Sequence, residues 1–297
     1  MNTVWSEYVQ GIQTLYRSRK LRFNDVFSGQ YKNFFREDPD KPLNILEIGC
    51  GPGALRRWYP NARITAIDRD SAFIRFAREN EPGIFFLEGD ATALPFDDDT
   101  FDITVSNTVS EHIEPSKFYK EQYRVLKPNG TCIVLSSRKG INLAPDCFVS
   151  DEFEQNFWDK VNRFDRSAQK YSVCQYPMNE AQMPLAMQKY GFRSVSTGYA
   201  MVDLTPDDPK YSPEMAHAMI NAVRYSALEA IGSVSVTMPE HTSAAEIEKM
   251  KNTINQRFDA RLQDYDRGKQ YWETNLSVIM MIRGTKPSHL QTAQTHA

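Results

Sequence analysis

Three glycines at alternate positions, Gly49, Gly51 and Gly53, directly follow the apolar run NILEI. Glycines at the end of a strand allow a tight turn, close packing of the next helix, and close approach of a ligand to the backbone. The sequence therefore predicts a ligand lying across this turn. The pattern GCGPGA does not by itself identify that ligand, because it also satisfies the dinucleotide-binding fingerprint with alanine in its last place.

Two acidic residues follow the next two predicted strands. Asp68 ends the run RITAID, where a carboxylate can accept hydrogen bonds from both hydroxyls of a ribose. The alternative for Asp68 is a helix cap, a role that Asp70 and Ser71 suit better. Asp90 stands in EGDATALPF, and its alternative role is to cap a short loop turn. Both carboxylates are expected at the edge of the sheet that carries the glycine turn.

The elements that must position these residues form a repeating pattern from Leu43 onward. Short apolar runs, LNILEIG, RITAID, GIFFLEG, FDITVSN and TCIVLSS, alternate with helix-length segments such as SAFIRFAREN and PSKFYKEQYRVL. This alternation predicts an α/β fold whose mostly parallel sheet has helices on both faces. A sixth strand is expected at about 194–204 and a seventh at about 275–283.

The order of predicted strands and helices divides the chain into a core and segments added to that core. Residues 1–40 are predicted to form a cap of two amphipathic helices, and residues 206–270 a helical insertion before the last strand. The core then comprises 41–205 and 271–286, followed by a flexible tail at 287–297. If strand six runs parallel to the first five, the insertion begins at the ligand edge, and we expect it to help form a pocket there.

The composition of the chain limits the classes of molecule that it is expected to bind. The chain has 297 residues, with 35 basic and 38 acidic side chains, so it lacks the basic excess that favours nucleic acid. It shows neither a signal-peptide pattern nor a long apolar stretch, which predicts a cytoplasmic protein that does not enter membranes. The spacing of Cys50, Cys132, Cys147 and Cys174, and an acidic run at 97–99 that is typical of a solvated turn, predict no metal site.

Five motifs in order carry a family resemblance. ILEIGCGPG, ITAID, LEGDATALPF, FDITVSN and RVLKPNG together resemble the class I S-adenosylmethionine-dependent methyltransferases, in particular the small-molecule branch of the methyltransferase type 11 kind. The resemblance is dense over 43–137 and looser to about 285. It implies a Rossmann-like seven-stranded sheet, S-adenosyl-L-methionine as cofactor, and methyl transfer to a small-molecule acceptor at oxygen or nitrogen, with sulfur also possible.

The resemblance also implies individual roles at the cofactor. Asp68 would hold the ribose, Asp90 the adenine amine, and Asn107 would lie beneath the sulfonium, while Glu47 and the glycines would line the methionine end. The full set expected to bind the cofactor is Glu47, Gly49, Cys50, Gly51, Asp68, Arg69, Asp90, Ala91 and Asn107.

Residues for the chemistry itself are less specific. His112 follows strand four at the ligand edge and is the candidate general base; the alternative is that it hydrogen bonds the cofactor or caps a short helix. Aromatic side chains beyond the core could enclose an acceptor or belong to an ordinary core. The candidates for the acceptor pocket are Tyr8, Tyr31, Trp158 and Tyr171.

Two other functions stay open at this point. A non-catalytic cofactor-binding or scaffold protein would keep the same motifs, and a nicotinamide-dependent dehydrogenase would share the glycine turn and Asp68. An enzyme that methylates amino groups of nucleic acids is disfavoured, because strand four lacks an NPPY-like run and no basic tract accompanies it.

Overall fold

The computed structural model describes residues 4–35, 42–53, 61–143 and 150–288, and all statements of structure refer to these residues. They contain one seven-stranded sheet with the order β3-β2-β1-β4-β5-β7-β6. Its strands are β1 Asn44–Ile48, β2 Arg63–Asp68, β3 Phe85–Glu88, β4 Phe101–Asn107, β5 Leu126–Leu143, β6 Arg193–Asp203 and β7 Thr274–Thr285.

The direction of the strands places a binding crevice at one edge. Strands β1 to β5 pair in parallel, and β7 is antiparallel to both β5 and β6, so β6 runs in the same direction as the first five. The predicted mostly parallel sheet is confirmed. The strand order reverses between β1 and β4, and in open sheets of this kind ligands bind outside the carboxyl ends of the strands at that point.

Ten α-helices in the described residues surround the sheet. They are α1 Val4–Tyr8, α2 Ile12–Arg22, α3 Asp25–Phe35, α4 Ser71–Asn80, α5 Pro115–Val125, α6 Glu152–Phe164, α7 Ser167–Lys170, α8 Gln182–Lys189, α9 Pro213–Thr237 and α10 Ala244–Asp266. A 3₁₀ turn spans Ser110–His112.

The amino-terminal segment differs from the prediction, since it forms three helices and not two. The chain leaves the helical path at Gly11, whose extended backbone (φ −66°, ψ 147°) precedes α2. It turns again at Asn24, which is buried and accepts a hydrogen bond from the Val26 N–H at 2.9 Å. Both interruptions fall inside segments that helical spacing alone had joined.

Each face of the sheet is covered by its own apolar layer. On one face α3 and α9 pack on the sheet through residues such as Phe35 and Met219. On the other face α5 and α8 cover the sheet with Phe118 and Met187, beside the buried Phe192 that precedes β6. Helices on both faces are what a mostly parallel sheet requires, because neither face can be left to solvent.

The insertion is a pair of helices that packs on the rest of the fold. Helices α9 and α10 share a third apolar cluster with α6, which includes Phe157, Ile231 and Met250. Helix α9 also holds the amino-terminal helices: the Glu229 carboxylate accepts a hydrogen bond from the Gly11 N–H at 2.7 Å. The domain boundaries given above stay predictions, and the tail beyond residue 288 lies outside the described residues.

The helices and the cysteines were also compared with what a membrane span or a disulfide requires. None of the helices in the described ranges has the length and apolar character needed to cross a bilayer. Cys50, Cys132 and Cys174 are free thiols, the first two buried and the third exposed, whereas Cys147 falls in a segment that the structure does not describe.

Candidate active site

A cavity of about 370 Å³ lies at the carboxyl ends of β1 to β4, where the strand order reverses. Predicted residues that line it are Gly49, Gly51, Asp68, Arg69, Asp90, Ala91, Asn107 and His112. Further lining comes from α1 and α2, from residues that follow β4, and from the segment 172–176. The fold therefore gathers eight of the predicted side chains or backbone positions from four different strand ends.

The glycine turn needs its glycines for two reasons. Gly49 and Gly51 adopt left-handed φ values of 66° and 53°, which side chains with a Cβ rarely adopt. A Cβ atom on Gly51 would lie only 3.2 Å from Leu15 and 3.3 Å from the Arg19 guanidinium carbon, because α2 packs against the turn. The Arg19 side chain donates hydrogen bonds to the carbonyl oxygens of Cys50 and Gly53. Helix α2 thus fixes the turn from outside.

Asp68 is held in one orientation by the backbone around it. Its Oδ2 accepts a hydrogen bond from the Gly51 N–H at 2.8 Å, and its Oδ1 accepts one from the Asp70 N–H at 2.9 Å. Burial raises the pKa of Asp68 above its ordinary value, and these backbone hydrogen bonds partly oppose that shift. Each carboxylate oxygen retains a lone pair for a further donor, as a ribose diol would supply.

Asp90 lies in an exposed turn after β3, and only one of its two carboxylate oxygens accepts hydrogen bonds. Its Oδ1 accepts hydrogen bonds from the backbone N–H and the hydroxyl of Thr92, at 2.8 and 2.9 Å. These contacts are the local capping role that was the alternative for this residue. The Oδ2 atom remains available to a ligand, because the capping contacts use only Oδ1.

Two residues that line the cavity carry buried polar atoms without hydrogen-bond partners. Asn107 ends β4, and its Oδ1 atom is buried without a hydrogen-bond partner. Trp5 on α1 also lines the cavity, and its Nε1 atom is likewise buried without a partner. Buried polar groups are nearly always hydrogen bonded, so both atoms favour a ligand that offers a donor to one and an acceptor to the other.

The roof is built from α1 and residues 171–176. Ser6 ties α1 to the sheet edge, since its N–H donates to Asp70 Oδ2 at 2.8 Å. Tyr8 and Tyr171 stack with ring centroids 5.1 Å apart and join the two halves of the roof. The Tyr176 N–H donates to the carbonyl oxygen of Glu111 at 2.9 Å, which fixes the second half over the 3₁₀ turn.

His112 lies beneath this roof with one ring nitrogen already engaged. Its Nδ1 atom accepts a hydrogen bond from the Cys174 N–H at 2.9 Å, and its ring packs edge-on against Trp5 at 4.6 Å between centroids. Burial, together with the positive charge of Arg69, lowers the pKa of His112 to about 4. The ring is therefore neutral at pH 7, with its proton on Nε2. In this geometry it has no free lone pair, and acting as a general base would require the Cys174 hydrogen bond to break.

The depressed pKa predicts how stability depends on pH. The unfolded chain protonates His112 near its ordinary pKa of 6.5, whereas the folded protein resists protonation until about pH 4. The unfolded state thus binds more protons between these values, so the free energy of unfolding should fall as pH decreases from 6.5 to 4. Urea unfolding of wild type and His112→Asn across this range tests the effect. Equal slopes for the two proteins would contradict it.

Other predicted residues lie away from the cavity surface. Glu47 and Cys50 are buried behind the glycine turn, and the Glu47 carboxylate lies 4.0 Å from Arg19 Nη1. Tyr31 is fully buried against Phe23 in the layer between α3 and the sheet. Trp158 packs in the cluster shared by α6, α9 and α10. The structure brings none of these four side chains to the cavity.

The expected contribution of the insertion to an acceptor pocket stays a prediction, because the insertion does not reach this cavity. No residue of 206–270 is among the described residues that line the cavity. Helix α9 instead holds α2, through the Glu229 contact and through the Arg17 guanidinium over the Tyr225 ring at 4.1 Å. Its connection to the site is therefore indirect, through the helix that carries Leu15 and Arg19.

Sequence reasoning missed the lining that α1 and α2 supply. Trp5, Gln10, Leu15 and Arg19 all line the cavity. Trp5 lies on α1, Leu15 and Arg19 lie on α2, and Gln10 lies between the two helices. The apolar spacing of this segment indicated only packing, and no local motif distinguishes Arg19 from its basic neighbours in YRSRKLR. Only the docking of α2 across the turn after β1 reveals its contacts.

Comparison with known proteins agrees with the motifs. Residues 46–134 match the family model described as a methyltransferase domain, Methyltransf_11. Over 120 residues the chain is 36% identical to the demethylmenaquinone methyltransferase of Renibacterium salmoninarum, covering 37% of this chain and 51% of that protein. Over 102 residues it is 39% identical to a fatty-acid O-methyltransferase of Mycolicibacterium smegmatis, covering 32% of this chain and 37% of that protein. These matches span about half or less of each relative's length.

The fold has a solved counterpart over nearly its whole length. The Haemonchus contortus phosphoethanolamine N-methyltransferase 2, in complex with S-adenosyl-L-methionine, aligns with a TM-score of 0.51 over 97% of this chain and 61% of that chain, at 16% sequence identity. At this identity the likeness concerns the fold. Residues 46–134 therefore match a methyltransferase domain, and their ordered motifs and the sheet that they help form are those of the class I S-adenosylmethionine-dependent methyltransferases.

Proposed function

We propose that the protein transfers a methyl group from S-adenosyl-L-methionine to a small-molecule acceptor, at oxygen or nitrogen and with sulfur also possible. The observation that carries the proposal is the cavity at the switch point of the sheet. It combines a bare glycine turn, the oriented Asp68 carboxylate, a free oxygen on Asp90 and the unpartnered Asn107 Oδ1.

The residues present fit this cofactor. Asp68 would accept hydrogen bonds from the ribose hydroxyls, and the Oδ2 atom of Asp90 would accept one from the adenine amine beside Ala91. The Asn107 amide oxygen carries partial negative charge, which suits a position near a sulfonium. The turn at Gly49 and Gly51 presents its backbone to the cavity, where the methionine portion would lie.

The chemistry asks the protein chiefly for alignment and for exclusion of water. When bound, the cofactor supplies an electrophilic methyl group on a sulfonium, and displacement requires the acceptor atom in line with the bond that breaks. The roof formed by α1 and 171–176 shields this position from solvent. Because Nδ1 of His112 is engaged by Cys174, we propose that His112 donates from Nε2 to orient a ligand unless that contact opens.

The size of the cavity bears on where the acceptor binds. A volume of about 370 Å³ is at the small end of the range for a single drug-sized ligand. The cofactor would fill most of it, so the acceptor needs adjoining space next to Asn107. Tyr8 and Tyr171 stack on each other and are not among the residues that line the cavity itself, and we keep them as proposed acceptor contacts.

The experiment measures binding and turnover separately. S-adenosylhomocysteine should raise the melting temperature in a concentration-dependent way, whereas NADH should not. Methyl-labelled S-adenosylmethionine should then transfer its label to a component of a small-molecule extract. Binding without transfer to any fraction would favour the non-catalytic alternative, and binding of NADH in place of S-adenosylhomocysteine would favour the dehydrogenase.

A further inference from the structure

Arg22, the last residue of α2, is a half-buried cation with few partners among the residues that the structure describes. Its one hydrogen bond as a donor runs from Nη1 to the Ser137 hydroxyl at 3.4 Å, which is close to the outer limit for such a bond. Its Nε atom is buried and makes no hydrogen bond. Within the described ranges, no carboxylate forms an ion pair with it.

The position of Arg22 follows from how α2 crosses the edge of the sheet. One turn earlier, Arg19 reaches the loop after β1, whereas Arg22 reaches Ser137 on β5. Strand β4 lies between β1 and β5, and its last residue, Asn107, pairs with Leu135, two residues before Ser137. Arg22 therefore lies at the same edge of the sheet as Asn107, on its β5 side, outside the set of residues that line the cavity.

The environment of Arg22 contrasts with that of other arginines at this edge. Arg19 donates to carbonyl oxygens, and Arg138 donates to the Met178 carbonyl oxygen at 3.0 Å and lies 3.5 Å from a Glu180 oxygen. Around Arg22 the Tyr31 hydroxyl is the titratable group that interacts with it, and burial lowers the pKa of the Arg22 guanidinium. Removing a cation from water without an anion is costly, so an anionic ligand would repay part of that cost.

We propose that Arg22 binds an anionic group of the methyl acceptor, a carboxylate or a phosphate, so that the acceptor is an acid. This inference rests on the proposed methyl transfer for the identity of the ligand. A planar guanidinium presents paired N–H donors that match either anion. Holding the anion beside Ser137 would leave the other end of the acceptor directed towards Asn107 and the cavity.

The test uses simple probes and does not depend on turnover. Benzoate and inorganic phosphate are titrated into the full chain, with and without saturating S-adenosylhomocysteine, and benzyl alcohol serves as the neutral match for benzoate. Isothermal calorimetry compares wild type with Arg22→Gln, Arg22→Lys and the control Arg63→Gln. Arg63 lies at an exposed position of β2. Arg63→Gln therefore removes the same charge as Arg22→Gln, but at a position away from the site.

Wild type should bind at least one anion saturably and benzyl alcohol much more weakly. Arg22→Gln should raise the dissociation constant of that anion about tenfold or more, as expected for loss of a charged hydrogen bond, while Arg63→Gln leaves it unchanged. If Arg22→Gln does not fold, Arg22→Lys should still weaken binding several-fold, because it replaces a paired donor by a point charge.

The assignment is overturned if neither anion binds, if benzyl alcohol binds as well as benzoate, or if the Arg22 variants bind like wild type. Failure of the proposed function looks different. In that case no label is transferred from S-adenosylmethionine although the anion still binds in an Arg22-dependent way.

Discussion

Replacing Asp68 with alanine is expected to weaken binding of S-adenosylhomocysteine by about 1 to 3 kcal/mol, or roughly 5- to 150-fold in the dissociation constant. The variant removes the proposed acceptor for the ribose hydroxyls. It also removes the hydrogen bonds that the Gly51 and Asp70 N–H groups donate to this carboxylate. Calorimetry on the purified variant measures the loss directly.

Two comparisons make this result specific. Asp97→Ala removes a carboxylate from an exposed turn before β4 and should leave the affinity unchanged. Asp68→Asn keeps one oxygen but cannot accept from both N–H groups and a diol, so its affinity should lie between wild type and Asp68→Ala. If Asp68→Ala binds like wild type while retaining its melting temperature, the ribose assignment is wrong.

The second large effect is on stability and concerns a buried charged cluster at the two ends of the insertion. The Arg261 side chain is fully buried, and its Nη2 atom lies 2.9 Å from both oxygens of Asp207 and 3.3 Å from Glu273. Asp207 also accepts hydrogen bonds from the N–H groups of Tyr271 and Trp272. The cluster thus joins the start of the insertion, helix α10 and the segment that enters β7.

Arg261→Ala is expected to lower the free energy of unfolding by about 3 to 5 kcal/mol, because it leaves the Asp207 charge buried without its cation. Urea denaturation followed by circular dichroism measures this loss. The control is Lys269→Ala, which breaks an exposed pair with Asp264 and should change stability little. An Arg261→Ala protein as stable as that control would show that the cluster does not hold the insertion.

The sequence by itself determined the sheet and the cofactor edge. Strand residues such as Ile45 and Ile103 lie in short runs made mostly of apolar residues, which a sheet covered on both faces can bury. Gly49, Asp68 and Asp90 each follow such a run, and parallel strands bring their carboxyl ends to one edge. Local pattern therefore implied proximity without any knowledge of packing, and the structure places all three at one cavity.

Tertiary structure alone decided the roof and the state of the polar groups beneath it. The neutrality of His112 depends on burial and on Arg69, and the hydrogen bond to its Nδ1 atom depends on Cys174, which is 62 positions away in sequence.

Tyr31 and Trp158 have the same chemical character as Tyr8, yet only docking of their helices decides which aromatic side chains enter the core. Likewise, Arg19 and Arg22 are alike in sequence, and the path of α2 across β1, β4 and β5 gives one of them carbonyl partners and leaves the other nearly unpaired. Such contacts depend on the packing of segments distant in sequence, which neither periodicity nor motif spacing encodes.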